Sequence, residues 1–121
     1  MKISSYQDLK VWRIGMEVAV EVYGVTKGFP REEMFGLAAQ LRRAAVSIPS
    51  NLAEGHARES TREYLHHISV AQGSAAEVET QLLLATRLGY LESAEPNTLL
   101  ARVGEIRKML FGLRNALNPT S

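Results

Sequence analysis

Apolar residues recur every three or four positions along most of the chain, which is the spacing of one face of an α-helix. No segment shows the sustained alternation of apolar and polar residues that a half-buried strand requires. Proline and glycine mark three short breaks, at residues 27–30, 54–60 and 89–96. The pattern therefore predicts four helices, over residues 6–26, 31–54, 60–88 and 96–117. Helices of this length with short connections form an antiparallel up-down-up-down four-helix bundle, so we expect a single all-α domain over residues 1–121.

The first predicted helix carries two apolar rows instead of one. The first row is Leu9, Trp12, Met16, Ala19 and Tyr23, and the second is Val11, Ile14, Val18, Val22 and Val25. A helix on the surface of a bundle needs only one apolar face. We therefore expect the other face to be covered by a second copy of the chain in a closed homo-oligomer. Either row could make this contact, and the candidate interface positions are Val11, Trp12, Ile14, Val18 and Val22.

Local signals refine the second and third helices. Pro49 lies inside the pattern of helix 2, and its missing N–H predicts a kink or local opening over residues 45–47. Gly55 is predicted to end helix 2, because glycine is common just after the last helical residue. Ser60 and Glu63 have the spacing of a capping box, which predicts the start of helix 3. Pro96 is a favourable first residue for helix 4.

A band of polar residues crosses helices 2 and 3. Ser47, Asn51 and Glu54 share one face of helix 2, and Ser74 and Glu77 lie in the middle of helix 3 beside Gly73. We interpret the five polar residues as a hydrogen-bonded network between the helices, in which Asn51 bonds to backbone or to helix 3. Gly73 would allow a close approach of another backbone. A ligand site is the alternative interpretation.

Composition excludes several classes of chemistry. The chain has no cysteine, which excludes a disulfide framework, a thiolate metal site and a cysteine nucleophile. Glu63 and His66 have the Glu-x-x-His form of di-iron bundles, but no second such motif exists, so we expect no metal and no cofactor. No nucleophile, base and oxyanion donor can be assembled, so we expect no catalytic residues and no enzyme. A signal peptide and an apolar stretch of membrane length are both lacking, which predicts a cytoplasmic protein with no membrane partner.

The net charge of +1 does not by itself indicate a nucleic-acid partner. The charge is nevertheless uneven, because residues 59–95 carry two cations and six anions, whereas residues 96–121 carry four cations and one anion. The candidate nucleic-acid-binding cations on helices 2 and 4 are Arg42, Arg43, Arg102, Arg107, Lys108 and Arg114. A solvated charged face is the simpler interpretation of these six residues.

Four stretches of the sequence resemble a known family. They are "LAAQLRRAAVSIPSNLAEG" at 37–55, "YLHHISVAQGSAAEVETQLLLA" at 64–85, "YQDLKVW" at 6–12 and "LGYL" at 88–91. These stretches resemble the bacterial four-helix-bundle proteins first noticed as reading frames inside intervening sequences of 23S rRNA genes, which are often labelled S23 ribosomal protein. The resemblance covers residues 6–91 through specific motifs and helix 4 through its apolar pattern.

The resemblance implies a ring-shaped homopentamer without known enzymatic activity. It also implies a relationship to the accessory variability determinant of diversity-generating retroelements, which binds nucleic acid and a reverse transcriptase through basic surfaces. We therefore expect a non-catalytic binding protein for RNA, DNA or a ribonucleoprotein. The alternative is a scaffold or assembly factor that contacts only protein.

Overall fold

The computed structural model describes residues 5–92 and 94–118. Within these residues the chain forms helices and turns and no strand. The four α-helices are α1 (Lys10–Thr26), α2 (Leu37–His56), α3 (Thr61–Arg87) and α4 (Ala94–Leu117). Two 3₁₀ turns, Tyr6–Asp8 and Arg31–Glu33, precede α1 and α2. The number, order and type of the predicted helices are confirmed.

Both of the first two helices begin later than predicted. Leu9 is extended, with φ −75° and ψ 123°, so the turn at Tyr6–Asp8 is separate from α1. Glu33 accounts for the start of α2, because its Oε1 accepts the Leu37 N–H at 3.2 Å and so satisfies a free helix donor. A Cβ on Gly36 would lie 2.7 Å from that same oxygen, so glycine gives the carboxylate room to cap the helix.

The predicted roles of Pro49 and Gly55 are corrected by the packing of α2. The helix continues through Pro49 without interruption and ends at His56, beyond Gly55. Gly55 is buried where α3 crosses α2, and a Cβ there would lie 2.8 Å from the Cβ of His67. Gly15 of α1 is also buried against α2, but a Cβ there would lie at ordinary contact distance, 3.4 Å from Ile48 and 3.5 Å from Pro49. Gly55 is thus required by close packing and not by helix termination.

Helix α3 begins and ends as its sequence signals predict. The Ser60 Oγ accepts the Glu63 N–H at 3.1 Å, which is the expected cap. Gly89 has φ +80°, and the Tyr90 N–H then reaches back to the Ala85 carbonyl at 2.9 Å. Helix α4 begins at Ala94, two residues earlier than predicted.

The four helices pack as a square. Helix α1 contacts α2 and α4, and α3 contacts the same two neighbours, so α1 lies diagonally across the core from α3 within the described residues. The core is built from aliphatic side chains of all four helices: Val18, Val22, Leu41, Ile48, Leu52, Ile68, Val78, Leu82, Val103, Ile106 and Leu110. This arrangement gives four outer grooves, one between each pair of neighbouring helices. None of the helices, as far as they are described, is long and apolar enough to cross a membrane.

Two connections are tied together at one end of the bundle. The Tyr90 hydroxyl donates to Glu33 Oε2 at 2.9 Å, and its ring lies 5.5 Å from the buried ring of Phe29. The hydrogen bond to Glu33 is the main reason that the pKa of Tyr90 is raised above its ordinary value, with burial and nearby carboxylates adding to it. The contact joins the α1–α2 connection to the α3–α4 connection.

Candidate nucleic-acid interface

A basic groove with an exposed aromatic ring runs along the outside of α3 and α4. It has a volume of about 590 Å³ and is lined by Gln72 of α3 and by Gly104, Arg107, Lys108 and Phe111 of α4. The Phe111 side chain is 59% exposed. Arg114 follows Phe111 by three residues, which places it on the same side of the helix. The groove therefore combines cations with an aromatic face that is open to solvent.

Two of the six predicted cations are held by contacts within the bundle. The Arg42 Nε donates to Thr26 Oγ1 at 2.7 Å, and the guanidinium lies 4.8 Å from the centre of the Tyr23 ring. Arg102 forms ion pairs with Glu21 at 2.7 Å and with Glu17 at 3.3 Å. Arg42 and Arg102 thus join helices to each other.

The other four cations are distributed over two grooves. The Arg107 Nη1 lies 3.2 and 3.3 Å from the two carboxylate oxygens of Glu79, in a pair that is largely exposed. Exposed pairs of this kind contribute little to stability and exchange readily with other partners. Lys108 and Arg114 are exposed and form no ion pair within residues 5–92 and 94–118. Arg43 lies in a different groove, between α2 and α3.

Ser47, Asn51 and Ser74, three of the five residues predicted to form a polar network, are linked by hydrogen bonds in a chain that His67 of α3 completes. The Asn51 Nδ2 donates to the Ser47 carbonyl at 2.9 Å and to the Ser47 Oγ at 3.0 Å. The Ser74 hydroxyl donates to Ser47 at 2.8 Å, which connects α3 to α2. The Asn51 Oδ1 accepts from the Nδ1 of His67 at 3.0 Å. Asn51 therefore makes both kinds of contact that its prediction gave as alternatives, one to the α2 backbone and one to a side chain of α3.

Glu54 and Glu77 were also predicted to belong to this network, but neither forms a hydrogen bond to it among the described residues. Glu54 pairs with Arg58 at 2.8 Å, and its other oxygen lies 4.0 Å from His67 Nδ1. Glu77 is exposed and forms no hydrogen bond to the network within the described chain. A Cβ on Gly73 would meet nothing within 4 Å. The expectation that Gly73 admits a neighbouring backbone is therefore wrong.

The two apolar rows of α1 have different environments. Val11, Val18 and Val22 are buried in the core of the bundle itself, so they cannot form the predicted subunit interface. Ile14 also packs against this core, although it is partly exposed. Trp12 belongs to the other row, which lines a groove of about 660 Å³ between α1 and α2 together with Met16, Val20, Tyr23 and Val46. An exposed apolar surface on α1 is confirmed. It is formed by Val20 together with Trp12, Met16 and Tyr23 of the first row, whereas Leu9 and Ala19 of that row are buried.

The residues of the Glu-x-x-His motif do not converge on a metal. The Glu63 carboxylate lies 3.9 Å from Arg58, and the His66 ring packs edge-on against His67. In the described part of the chain, no three His, Asp or Glu side chains come together in a way that could hold a metal ion.

Sequence reasoning missed Phe111 and His67. Phe111 lies four residues after Arg107 and three before Arg114, a helical spacing that could have placed the ring among the cations. His67 lies seven residues before Ser74 and therefore on the same face of α3. Its side chain is only 14% exposed, because it lies between α2 and α3.

The comparisons with known proteins agree with the resemblance seen in the sequence. The family model described as 23S rRNA-intervening sequence protein matches residues 7–112. A crystal structure at 1.70 Å resolution of a protein of unknown function from Bacteroides thetaiotaomicron, from the S23 ribosomal protein family, has a TM-score of 0.80 to this chain. The two are 24% identical over 87% of this chain and 95% of the other, and at this identity the likeness concerns the fold alone. A search of curated proteins finds no match.

Proposed function

The chain belongs to the 23S rRNA-intervening sequence protein family, and from this premise we propose that it is a non-catalytic, homo-oligomeric protein that binds single-stranded RNA. The α3–α4 groove is the binding surface in this proposal. Non-specific recognition of single strands requires cations that follow the phosphates and aromatic rings on which bases stack. Both kinds of group are present in the groove.

The observation that carries the proposal is the position of Phe111. Its ring is 59% exposed on a helix whose other large apolar residues are buried, as are Ile106 and Leu110, or at least partly buried. Lys108 and Arg114 lie three residues to either side of it. Stacking of a base on the ring would place the adjoining phosphates near these cations, and Arg107 can join them by leaving its exposed pair with Glu79.

Assembly would raise the RNA affinity, because one oligomer would present several copies of the basic groove, each of which binds weakly alone. The resemblance implies a ring of five subunits, and the apolar α1–α2 groove supplies a surface that another copy can cover. That groove lies on the side of the bundle opposite to α3–α4. A ring formed through the apolar groove would leave the basic groove of each subunit accessible. Simultaneous contacts can raise avidity by about 10²–10⁴.

The polar network supports a non-catalytic role. A hydrolase of the serine–histidine type needs its imidazole on the serine hydroxyl. Here Ser47 and Ser74 bond to each other, and His67 bonds to Asn51. These side chains bond to one another between α2 and α3, and no described hydrogen bond places an imidazole on a serine hydroxyl.

The second candidate function is a protein-binding scaffold that contacts no nucleic acid. The apolar α1–α2 groove favours this function, since Trp12, Met16 and Val20 would suit an apolar protein surface. The net charge of +1 is equally compatible with it.

A salt titration separates the two functions. The fluorescence anisotropy of a labelled single-stranded RNA should rise with protein, and the logarithm of the association constant should fall linearly with the logarithm of salt concentration, with a slope of about −0.7 per phosphate contacted. Absence of binding to either RNA or DNA at about 50 mM salt would contradict the proposal and favour the scaffold.

Charge reversal identifies the surface. The double variant Lys108→Glu and Arg114→Glu should weaken RNA binding by at least about ten-fold and make the salt slope shallower by about one or more. Both residues are exposed, so the bundle should stay folded. The double variant Arg62→Glu and Arg87→Glu is the matched control, because it makes the same change in net charge with two exposed residues of α3 outside the groove. An equal loss in the control would show that only net charge matters.

A further inference from the structure

The groove between α2 and α3 is polar and is separate from the surfaces described so far. It has a volume of about 350 Å³ and is lined mainly by Gln40, Arg43 and Ser47 of α2 and by Ser74, Glu77 and Gln81 of α3. Helix α3 separates it from the basic α3–α4 groove. Its size lies at the lower end of the range for small-molecule sites.

The groove contains two opposite charges that do not pair with each other. Arg43 and Glu77 both line it, and neither forms an ion pair or a hydrogen bond anywhere in the described residues. Elsewhere in the bundle, opposite charges on neighbouring helices do pair, as in Arg102 with Glu21 at 2.7 Å and Arg107 with Glu79 at 3.2 Å. The α2–α3 groove thus keeps a cation and an anion apart on facing walls.

The groove also contains hydrogen-bonding capacity that the protein does not use. The Gln81 Oε1 is screened from solvent and has no donor in the described structure. The Ser47 Oγ accepts from both Asn51 and Ser74, which leaves its own hydrogen for a further acceptor. A buried polar group without a partner is unfavourable and normally signals a missing interaction.

We propose that this groove binds a small zwitterion of the α-amino-acid class. The guanidinium of Arg43 would receive the carboxylate, because its planar fork matches the two oxygens. Glu77 would receive the ammonium group from the opposite helix, and the Gln81 amide would turn to accept one of its hydrogens. This site does not depend on RNA binding, since it shares no residue with the α3–α4 groove.

Thermal shift and isothermal titration calorimetry test the site with free amino acids. Each common L-amino acid is added singly at about 5 mM, and at least one should raise the melting temperature and bind with a Kd at or below about 1 mM. The methyl ester and the N-acetyl derivative of that amino acid should each bind at least about ten-fold more weakly, because each lacks one of the two charges. Equal binding of either derivative would overturn the zwitterion assignment.

Two isosteric or near-isosteric variants locate the site. Glu77→Gln and Arg43→Gln should each weaken binding by at least about ten-fold, and both residues are exposed, so neither change should unfold the bundle. Glu59→Gln and Arg62→Gln are matched controls, exposed and outside the groove. Unchanged affinity in the groove variants, or no binding of any amino acid at about 10 mM, would overturn the proposal. RNA binding should persist in Glu77→Gln, which keeps this test independent of the proposed function.

Discussion

The two sides of the bundle formed by α1–α2 and by α3–α4 differ in chemistry although both are outer grooves between neighbouring helices. The α1–α2 groove presents Trp12, Met16 and Val20, whereas the α3–α4 groove presents Lys108 and Phe111 beside further cations. An apolar groove favours contact with protein, and a basic aromatic groove favours nucleic acid. Under the proposed function, assembly and RNA binding use opposite sides of the bundle, so that each can be changed without the other.

The largest expected effect is on the free energy of unfolding, and it distinguishes the buried face of α1 from its exposed face. Val18 is fully buried, whereas Val20 is 70% exposed beside the apolar groove. Val18→Asp should cost at least about 4 kcal/mol, because it buries a charge without a partner. Val20→Asp should leave the stability of the subunit nearly unchanged but dissociate the oligomer. Urea unfolding measures the first effect and light scattering the second.

The wild-type mass is the reference for this pair of variants. For a ring of five subunits, light scattering should give a molar mass of about five times the 13.4 kDa of one chain. For Val20→Asp it should give the mass of a single chain. A wild-type protein that is monomeric at micromolar concentration would contradict the assignment of the α1–α2 groove to assembly.

The next effect concerns the α2–α3 seam, the contact surface between these two helices, which joins the α1–α2 side of the bundle to the α3–α4 side. Gly55→Ala should destabilise the bundle by about 1–3 kcal/mol, because the new Cβ would lie 2.8 Å from His67 Cβ and 3.0 Å from Tyr64. Gly73→Ala is the matched control, since nothing lies within 4 Å of its added Cβ. It should stabilise by about 0.5–1 kcal/mol through helix propensity. Similar shifts of the urea midpoint in both variants would refute the close approach.

Asn51 tests how much the hydrogen bonds between α2 and α3 contribute to stability. Asn51→Ala should cost about 1–3 kcal/mol in urea unfolding, because Ser47 and His67 would each lose a hydrogen-bond partner. Asn115→Ala, an exposed control on α4, should stay within about 0.5 kcal/mol of wild type. If the two variants unfold alike, the network contributes nothing to holding α2 against α3.

The sequence predicts the helices well because periodicity and capping are local properties. It does not predict which apolar row of α1 faces inward, since both rows have the same spacing and similar hydrophobicity. Packing decides this, and Gly15 marks the inner face, because it is buried against Ile48 and Pro49 of α2. Gly15 lies between Val11 and Val18 on one face, and that register is the signal in the sequence for the inner row.

The candidate site is less predictable than the fold because it depends on which helices are neighbours. The sequence identifies Asn51 and Ser74 as network residues, since their helical faces are polar and regularly spaced. It does not separate Arg42, whose guanidinium contacts Thr26 and Tyr23 of α1, from Lys108, which has no ion-pair partner among the described residues. That distinction arises only when tertiary packing places an acceptor beside one cation and solvent beside the other.

The most direct test of the account compares two exposed phenylalanines. Phe111 is 59% exposed in the basic groove, and Phe35 is 97% exposed in the connection before α2. In anisotropy titrations with a short single-stranded RNA, Phe111→Ala should weaken binding by about ten-fold, since stacking of one base contributes about 1–3 kcal/mol. Phe35→Ala should bind as wild type does. Equal affinities for all three proteins, or a loss confined to Phe35→Ala, would contradict the assignment of RNA binding to the α3–α4 groove.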